Sequence, residues 1–151
     1  MIIRPASLQD QTVLFDIVLE QCQRYPQLKP DRDKIKGLLR STISSAKDLC
    51  LVVTQDNQVG GALMAQSGHN LWAQRQFAVV NCWVSKIPGG GAALLRQFRD
   101  WVIARPVIRV AGISPDLITD PRVWLLAQRI GFKQYGGAYL LYTRGLHHGT
   151  I

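Results

Sequence analysis

Three consecutive glycines, Gly89, Gly90 and Gly91, stand between a nearly continuous apolar run, Phe77 to Val84, and a segment whose Leu94, Leu95, Phe98, Trp101 and Val102 recur at helical spacing. A buried strand that turns through glycines into a helix presents successive backbone N–H groups at the positive end of that helix. Such a turn is suited to phosphate oxygens. Glycines also remove the side chains that would hold a diphosphate away; the plainer alternative is a flexible turn that binds nothing. Two familiar phosphate loops are excluded. A Walker A loop requires Gly-Lys-Ser/Thr where this chain has Gly91-Ala92-Ala93, and the dinucleotide fingerprint requires a third glycine where it has Leu94.

The remaining residues with chemical potential are sparse. Cys22, Cys50 and Cys82 are odd in number, widely spaced and set among apolar neighbours, which suits small buried side chains in a reducing compartment rather than a disulfide framework or a zinc site. His69, His147 and His148 are the only imidazoles, and the last two fall in a segment ending Gly-Thr-Ile that reads as a solvated tail. No metal is expected. The formal net charge of +8 attracts polyanions: nucleic acid, an acidic protein surface, or a nucleotide carrying several phosphates. The densest basic stretch, Lys29, Arg32, Lys34, Lys36 and Arg40, alternates with apolar residues at helical spacing and reads first as the solvated face of an amphipathic helix. Trp83, Trp101 and Trp124 fall on core positions, leaving Trp72, beside Gly68-His69-Asn70 and Arg75, as the exposed tryptophan.

The elements that must position these residues follow from periodicity and punctuation. A chain of 151 residues with 47% hydrophobic and 19% charged residues has the composition of one globular domain, expected over 1–146 with a short tail at 147–151. No apolar run nears the ~20 residues of a membrane span, and Met1-Ile2-Ile3-Arg4 meets polar residues too soon for a signal peptide, so a cytoplasmic protein is expected. Met1 to Ala6 predicts a strand. Ser7 or Asp10 caps a helix carrying Leu14, Ile17, Val18 and Cys22, and Pro26 ends it; Asp31 caps a second, with Ile35, Leu38, Leu39, Thr42 and Ile43 on one face. Leu49 to Val53 and Val59 to Gln66 form a hairpin about Asp56-Asn57-Gln58, broken by Gly68-His69-Asn70. After the strand, glycine loop and long helix, Pro106 stops the helix and Val107 to Ile113 is a further strand. Asp120-Pro121 opens a last helix that closes at Gly131, and Phe132 to Gln134 and Ala138 to Arg144 complete the sheet.

Lys86-Ile87-Pro88-Gly89-Gly90-Gly91 followed by Ala92-Ala93-Leu94-Leu95 resembles the acetyl-CoA signature of the GNAT family of N-acetyltransferases, Arg/Gln-x-x-Gly-x-Gly/Ala before a helix opening on paired leucines. Lysine takes the first place. The family's second landmark, an Asn-led helix ending in Gly-Phe, is echoed by Asp120 through Ile130-Gly131-Phe132, and the element order agrees over essentially the whole chain, including Ile2-Ile3-Arg4-Pro5-Ala6 and Asp10. The resemblance implies an α/β (α+β) fold with a mixed, mostly antiparallel central sheet of six to seven strands, its central strands splayed, flanked by four helices. It implies acetyl-CoA as co-substrate. Trp83 and Val84 would offer backbone bonds to the pantetheine, Gly89, Gly90, Gly91 and Ala92 would cradle the pyrophosphate, Lys86 would add a charge, and Asp120 would stand at the second landmark.

Two positions depart from the family. The tyrosine that protonates the departing thiolate is replaced by Ala127, and the customary glutamate base is missing, since Glu20, in the first helix, is the only glutamate. Asn81 or a water would serve as base, and Ser114, Tyr135 or Tyr139 would replace the tyrosine. The implied activity is acetyl transfer to an amine, with a macromolecular or anionic acceptor because Lys29 to Arg40 would repel a polycation. The alternative is a binding protein that has lost catalysis and contacts a protein or nucleic acid through its basic face. No membrane partner is expected, and the protein is expected as a monomer or homodimer.

Overall fold

The computed structural model describes residues 1–69, 76–118 and 120–134. Strand β1 (Ile2–Pro5) leads through a 3-10 turn into helix α1 (Gln11–Cys22), and α2 (Arg32–Ser44) follows. Strands β2 (Leu49–Gln55) and β3 (Gln58–His69) form a hairpin, joined by Asp56 and Asn57 with positive φ. The chain continues as β4 (Gln76–Ser85), α3 (Gly90–Ile103), β5 (Ile108–Ile113) and α4 (Pro121–Ile130). The sheet order is β1-β2-β3-β4-β5, antiparallel throughout except for the parallel pair β4 and β5, which α3 connects.

Two apolar layers cover this sheet. Leu49, Leu51 and Val53 of β2 join Leu94, Leu95 and Phe98 of α3 and Ile130 of α4 on one face. Cys50 and Val52 join Leu14 of α1 and Ile35 and Leu39 of α2 on the other. With both faces covered, the strand reads Leu-Cys-Leu-Val-Val without polar alternation. Helix α2 buries Ile35, Leu39 and Thr42 and leaves its basic residues in solvent. Arg32 and Lys36 lie over the Phe15 ring of α1, 5.7 and 5.6 Å from its centroid, so part of the basic stretch packs one helix against the other. The β1–α1 corner is fixed by Asp10, which accepts two bonds from the Arg4 guanidinium (2.7 and 2.9 Å) and one from the Ser7 amide (2.8 Å). Among the described residues no helix is long and apolar enough to cross a membrane.

The four helices and the mixed, mostly antiparallel sheet agree with the sequence. The strand count is lower, with five strands among the described residues. Phe132 to Gln134 is not a strand: the Phe132 amide donates to the Ala127 carbonyl at 3.0 Å, closing the end of α4, and its ring packs 6.3 Å from that of Phe98. Ala138 to Arg144 lies outside the described residues. Gly68 and His69 do not break the hairpin either; β3 runs through them, and a Cβ on Gly68 would press within 3.1 Å of the Phe77 ring on β4.

Candidate functional site

The site begins where the sheet parts. Strand β5 pairs with β4 only from Gln76 to Val80, and a last bond runs from the Ser114 amide to the Val80 carbonyl at 2.9 Å. Beyond it β4 continues to Ser85, held by β3 alone. Val80 pairs with Ala65 and Cys82 with Met64, so Asn81 is an extra residue on β4, a β-bulge. One inserted residue reverses the side-chain alternation. Ala78, Val80 and then Trp83 therefore share the α3 face, while Cys82 turns to the α1 face. The bulge thus carries the Trp83 indole under the start of α3, where Nε1 donates to the Gly91 carbonyl at 2.9 Å.

Backbone alternation also decides which groups face the open edge. The Lys86 amide donates to Gly60 on β3 at 2.8 Å, and the Val84 carbonyl sits where a Cβ on Gly61 of β3 would meet it at 2.5 Å. Val84 and Lys86 thus point their backbone groups into the sheet, and Trp83 and Ser85 point theirs to the open side. Of the expected pair Trp83 and Val84, the open edge has Trp83, with Ser85 in place of Val84. The Ser85 hydroxyl accepts from the Ile87 amide (3.0 Å) and donates to the Ile87 carbonyl (2.9 Å), fixing the turn into the glycines.

The glycines differ in what demands them. Gly89 caps α3 with φ of 75°, in the left-handed region that glycine favours. Gly90 is buried, its amide bonded to the Ile87 carbonyl at 2.9 Å; a Cβ there would collide with Ser85 Oγ and come within 3.3 Å of both Val53 methyls. Gly91 has room, with Trp83 Nε1 at 3.7 Å as the only neighbour of an added Cβ. The start of α3 has no side-chain cap and no acid in its first turn, and among the described residues nothing accepts from the Gly91 and Ala92 amides.

A cavity of about 500 Å³ opens along this edge. Its walls include Trp83, Val84, Lys86, Gly89, Gly91 and Ala92, all expected from the sequence, together with Ser85, Ile87 and Pro88 of the loop, Leu117 after β5, and Val123 and Leu126 of α4. From the other side comes Arg24, just past α1, whose Nη1 donates to the Asp116 carbonyl at 2.9 Å. Among the described residues the cavity wall has two cations, Arg24 and Lys86, and no carboxylate. Lys86 Nζ also lies 3.8 Å from Glu20 in solvent, a weak attraction.

Other expected residues fall elsewhere. Gly90 packs behind the cavity wall. The Asp120 carboxylate caps α4, accepting from the Arg122 amide at 2.8 Å, and pairs with the Arg122 guanidinium, whose hydrogen bond is the largest cause of its lowered pKa. Asn81 is exposed and donates to Gln66 Oε1 at 3.2 Å. Ser114, at the fork of β4 and β5, donates its hydroxyl to the Asp116 carboxylate. Ala127 is fully buried in the α3 and α4 cluster. Burial pushes the Cys50 and Cys82 thiols up to about 12, disfavouring the thiolate at either. Trp72, Tyr135, Tyr139, His147 and His148 lie outside the described residues.

Sequence reasoning missed Arg24, Ser85 and Asp116. Ser85 was within reach through period-two alternation, whereas Arg24 and Asp116 meet across 92 positions and carry no local signal.

No family model and no curated protein matches the chain. Solved structures do. A chain from Clostridium difficile 630, described as a possible acetyltransferase, superposes with a TM-score of 0.69 at 15% identity over 97% of this chain and 98% of its own. An aminoglycoside antibiotic 6'-N-acetyltransferase from Acinetobacter baumannii gives 0.66 at 18% identity, over 95% and 99%. An aminoglycoside acetyltransferase from an uncultured soil metagenomic sample, in complex with sisomicin, gives 0.66 at 12% identity over 95% and 96%. With a sheet that opens between β4 and β5 and a glycine-led α3 beside the opening, the chain has the fold of the GNAT-type N-acetyltransferases.

Proposed function

We propose that the protein is an N-acetyltransferase that takes its acetyl group from acetyl-CoA and passes it to an amine. The observation that carries this reading is the start of α3, without a side-chain cap, at the mouth of the gap between β4 and β5. Among the described residues, those at this start fit the co-substrate: free amides at Gly91 and Ala92, no side chain filling the cradle at Gly91, and a cavity wall with cations and no carboxylate. When bound, acetyl-CoA supplies an acetyl group activated as a thioester.

In this reading Gly89, Gly91 and Ala92 hold the pyrophosphate on backbone N–H groups, aided by Lys86. The open backbone edge at Trp83 and Ser85 receives the pantetheine amides, and Leu117, Val123 and Leu126 exclude water. Attack by a neutral amine breaks the thioester C–S bond and forms the amide C–N bond; the amine's proton leaves and the departing sulfur gains one. Asp116, accepting from the Ser114 hydroxyl at the fork, is the nearby carboxylate to receive that proton through Ser114 or a water, with Asn81 orienting a water at the bulge. Ser114, Tyr135 and Tyr139 are the sequence's candidates for protonating the sulfur.

Calorimetric titration with acetyl-CoA tests the reading first, followed by release of free coenzyme A thiol on adding amines. Mass spectrometry of cell extract incubated with the protein and labelled acetyl-CoA identifies the acceptor. Absence of binding at millimolar acetyl-CoA overturns the proposal.

A further inference from the structure

The opening between β4 and β5 passes between the two faces of the sheet. The glycine loop, Leu117 and the α4 residues Val123 and Leu126 bound it on the α3 side; on the α1 side Val84 packs against the α1–α2 cluster, Lys86 Nζ lies 3.8 Å from Glu20 of α1, and Arg24 enters from just past α1. If acetyl-CoA takes the loop, as proposed above, the amine must approach from the side where Arg24 stands. Among the described residues Arg24 donates one bond, to the Asp116 carbonyl, and a guanidinium has five N–H donors. Among the described residues the ion pairs join Arg4 to Asp10, Lys86 to Glu20, Arg99 to Asp100 and Arg122 to Asp120, and none includes Arg24. The Asp116 bond aims the guanidinium, holding it at the fork beside Ser114 and Asp116.

We infer that Arg24 is a specificity-determining residue that binds an oxyanion on the acceptor itself, so that the substrate is a small amine carrying a carboxylate or phosphate near its nitrogen. The planar guanidinium matches such a group with paired, charge-assisted bonds. The glycine loop and the start of α3 remain for the co-substrate's phosphates, so the two anions have separate partners. This inference rests on the proposed acetyl transfer and adds the acceptor class to it.

Matched pairs of acceptors test it: phenylalanine with phenethylamine, leucine with 3-methylbutylamine, and phosphoethanolamine with ethanolamine. For each pair kcat and KM are measured with the wild-type protein, with Arg24→Gln, which keeps a donor for the Asp116 carbonyl but loses the charge, and with Arg24→Lys. Amine basicity differs within a pair, so the comparison is the pair's kcat/KM ratio in variant against wild type. The expected result is a ratio favouring the anionic member in wild type that falls by about 30-fold in Arg24→Gln, mostly through KM, and recovers in part in Arg24→Lys. A preference for a carboxylate over phosphate, or the reverse, names the anion. Equal loss for both members, no preference in wild type, or no turnover of any pair by protein that binds acetyl-CoA overturns the inference; no acetyl-CoA binding at all overturns the reading beneath it.

Discussion

Helices α3 and α4 flank the same cavity, yet they begin in opposite ways. At α4 the Asp120 carboxylate accepts the Arg122 amide, and Pro121 in the first turn has no N–H to offer. At α3 the cap is Gly89 in a left-handed conformation, no side chain accepts from the first-turn amides, and Gly91 and Ala92 line the cavity. Both helix ends carry the same partial positive charge. One is neutralised by its own chain and the other is not, so in the proposed reading the cap, rather than the helix, decides which end binds phosphate. Helix α2 follows α4: Asp31 accepts the Lys34 amide at 3.0 Å.

Replacing Gly91 by Asp brings to α3 the carboxylate that α4 already has. The added side chain has space and suits the helix end, so the melting temperature should hold while acetyl-CoA affinity falls by about 100-fold through like-charge repulsion. Unchanged affinity in calorimetry would place the phosphates elsewhere. Gly90→Ala tests the neighbouring position, where packing rather than ligand access demands glycine. Its Cβ meets the pinned Ser85 hydroxyl and the Val53 methyls, and urea unfolding should show a loss of about 2 kcal/mol; a variant as stable as wild type would refute the packing assignment.

Asp10, like Asp120, is a carboxylate occupied by its own chain, though it is buried. The Arg4 guanidinium, against the cost of burial and with help from the Ser7 amide, holds its carboxyl at about 2, below the usual 3.8. Folding therefore favours the ionised form, and the stability this gives is present above about pH 4 and is lost as the pH falls toward 2. Asp10→Asn should cost about 1.5 kcal/mol at neutral pH, and the gap to wild type should close across that acidic window. A gap independent of pH would mean that the ion pair is not its source. The smallest effect is expected from Asp120→Ala, which should lower the melting temperature by a few degrees through loss of the cap. If it weakened acetyl-CoA binding instead, Asp120 would belong to the site after all, and the contrast between the two helix ends would fail.

Much of this contrast is legible in the sequence because it depends on neighbours. Asp31 and Asp120 before helical periods, Pro121 at the first turn, and glycines between an apolar run and a leucine-rich helix are local signals whose physics acts within a few residues. The resemblance carried by Lys86 to Leu95 and the order of the elements give the fold class in the same way. The sheet is less legible at its ends. Phe132 carries the apolar character of a strand residue, but its amide closes α4 and its ring packs on Phe98.

By itself, then, the sequence determined the helices, the Asp31 and Asp120 caps, the hairpin and a glycine loop ahead of α3, since each rests on side chains and backbone amides close along the chain. The Ser7 or Asp10 expected to cap α1 makes no side-chain cap bond to it, Asp10 being held by Arg4. Only the tertiary structure decided that the bulge at Asn81 would turn Trp83 toward α3, that β5 would leave β4 at Val80, and that Gly90 would serve packing while Gly91 faced the cavity. It alone brought Arg24 to Asp116. These outcomes depend on register and on which element lies above which, and such contacts are set by the packing of the whole sheet between its two helical layers, leaving no mark on the residues beside them in the chain.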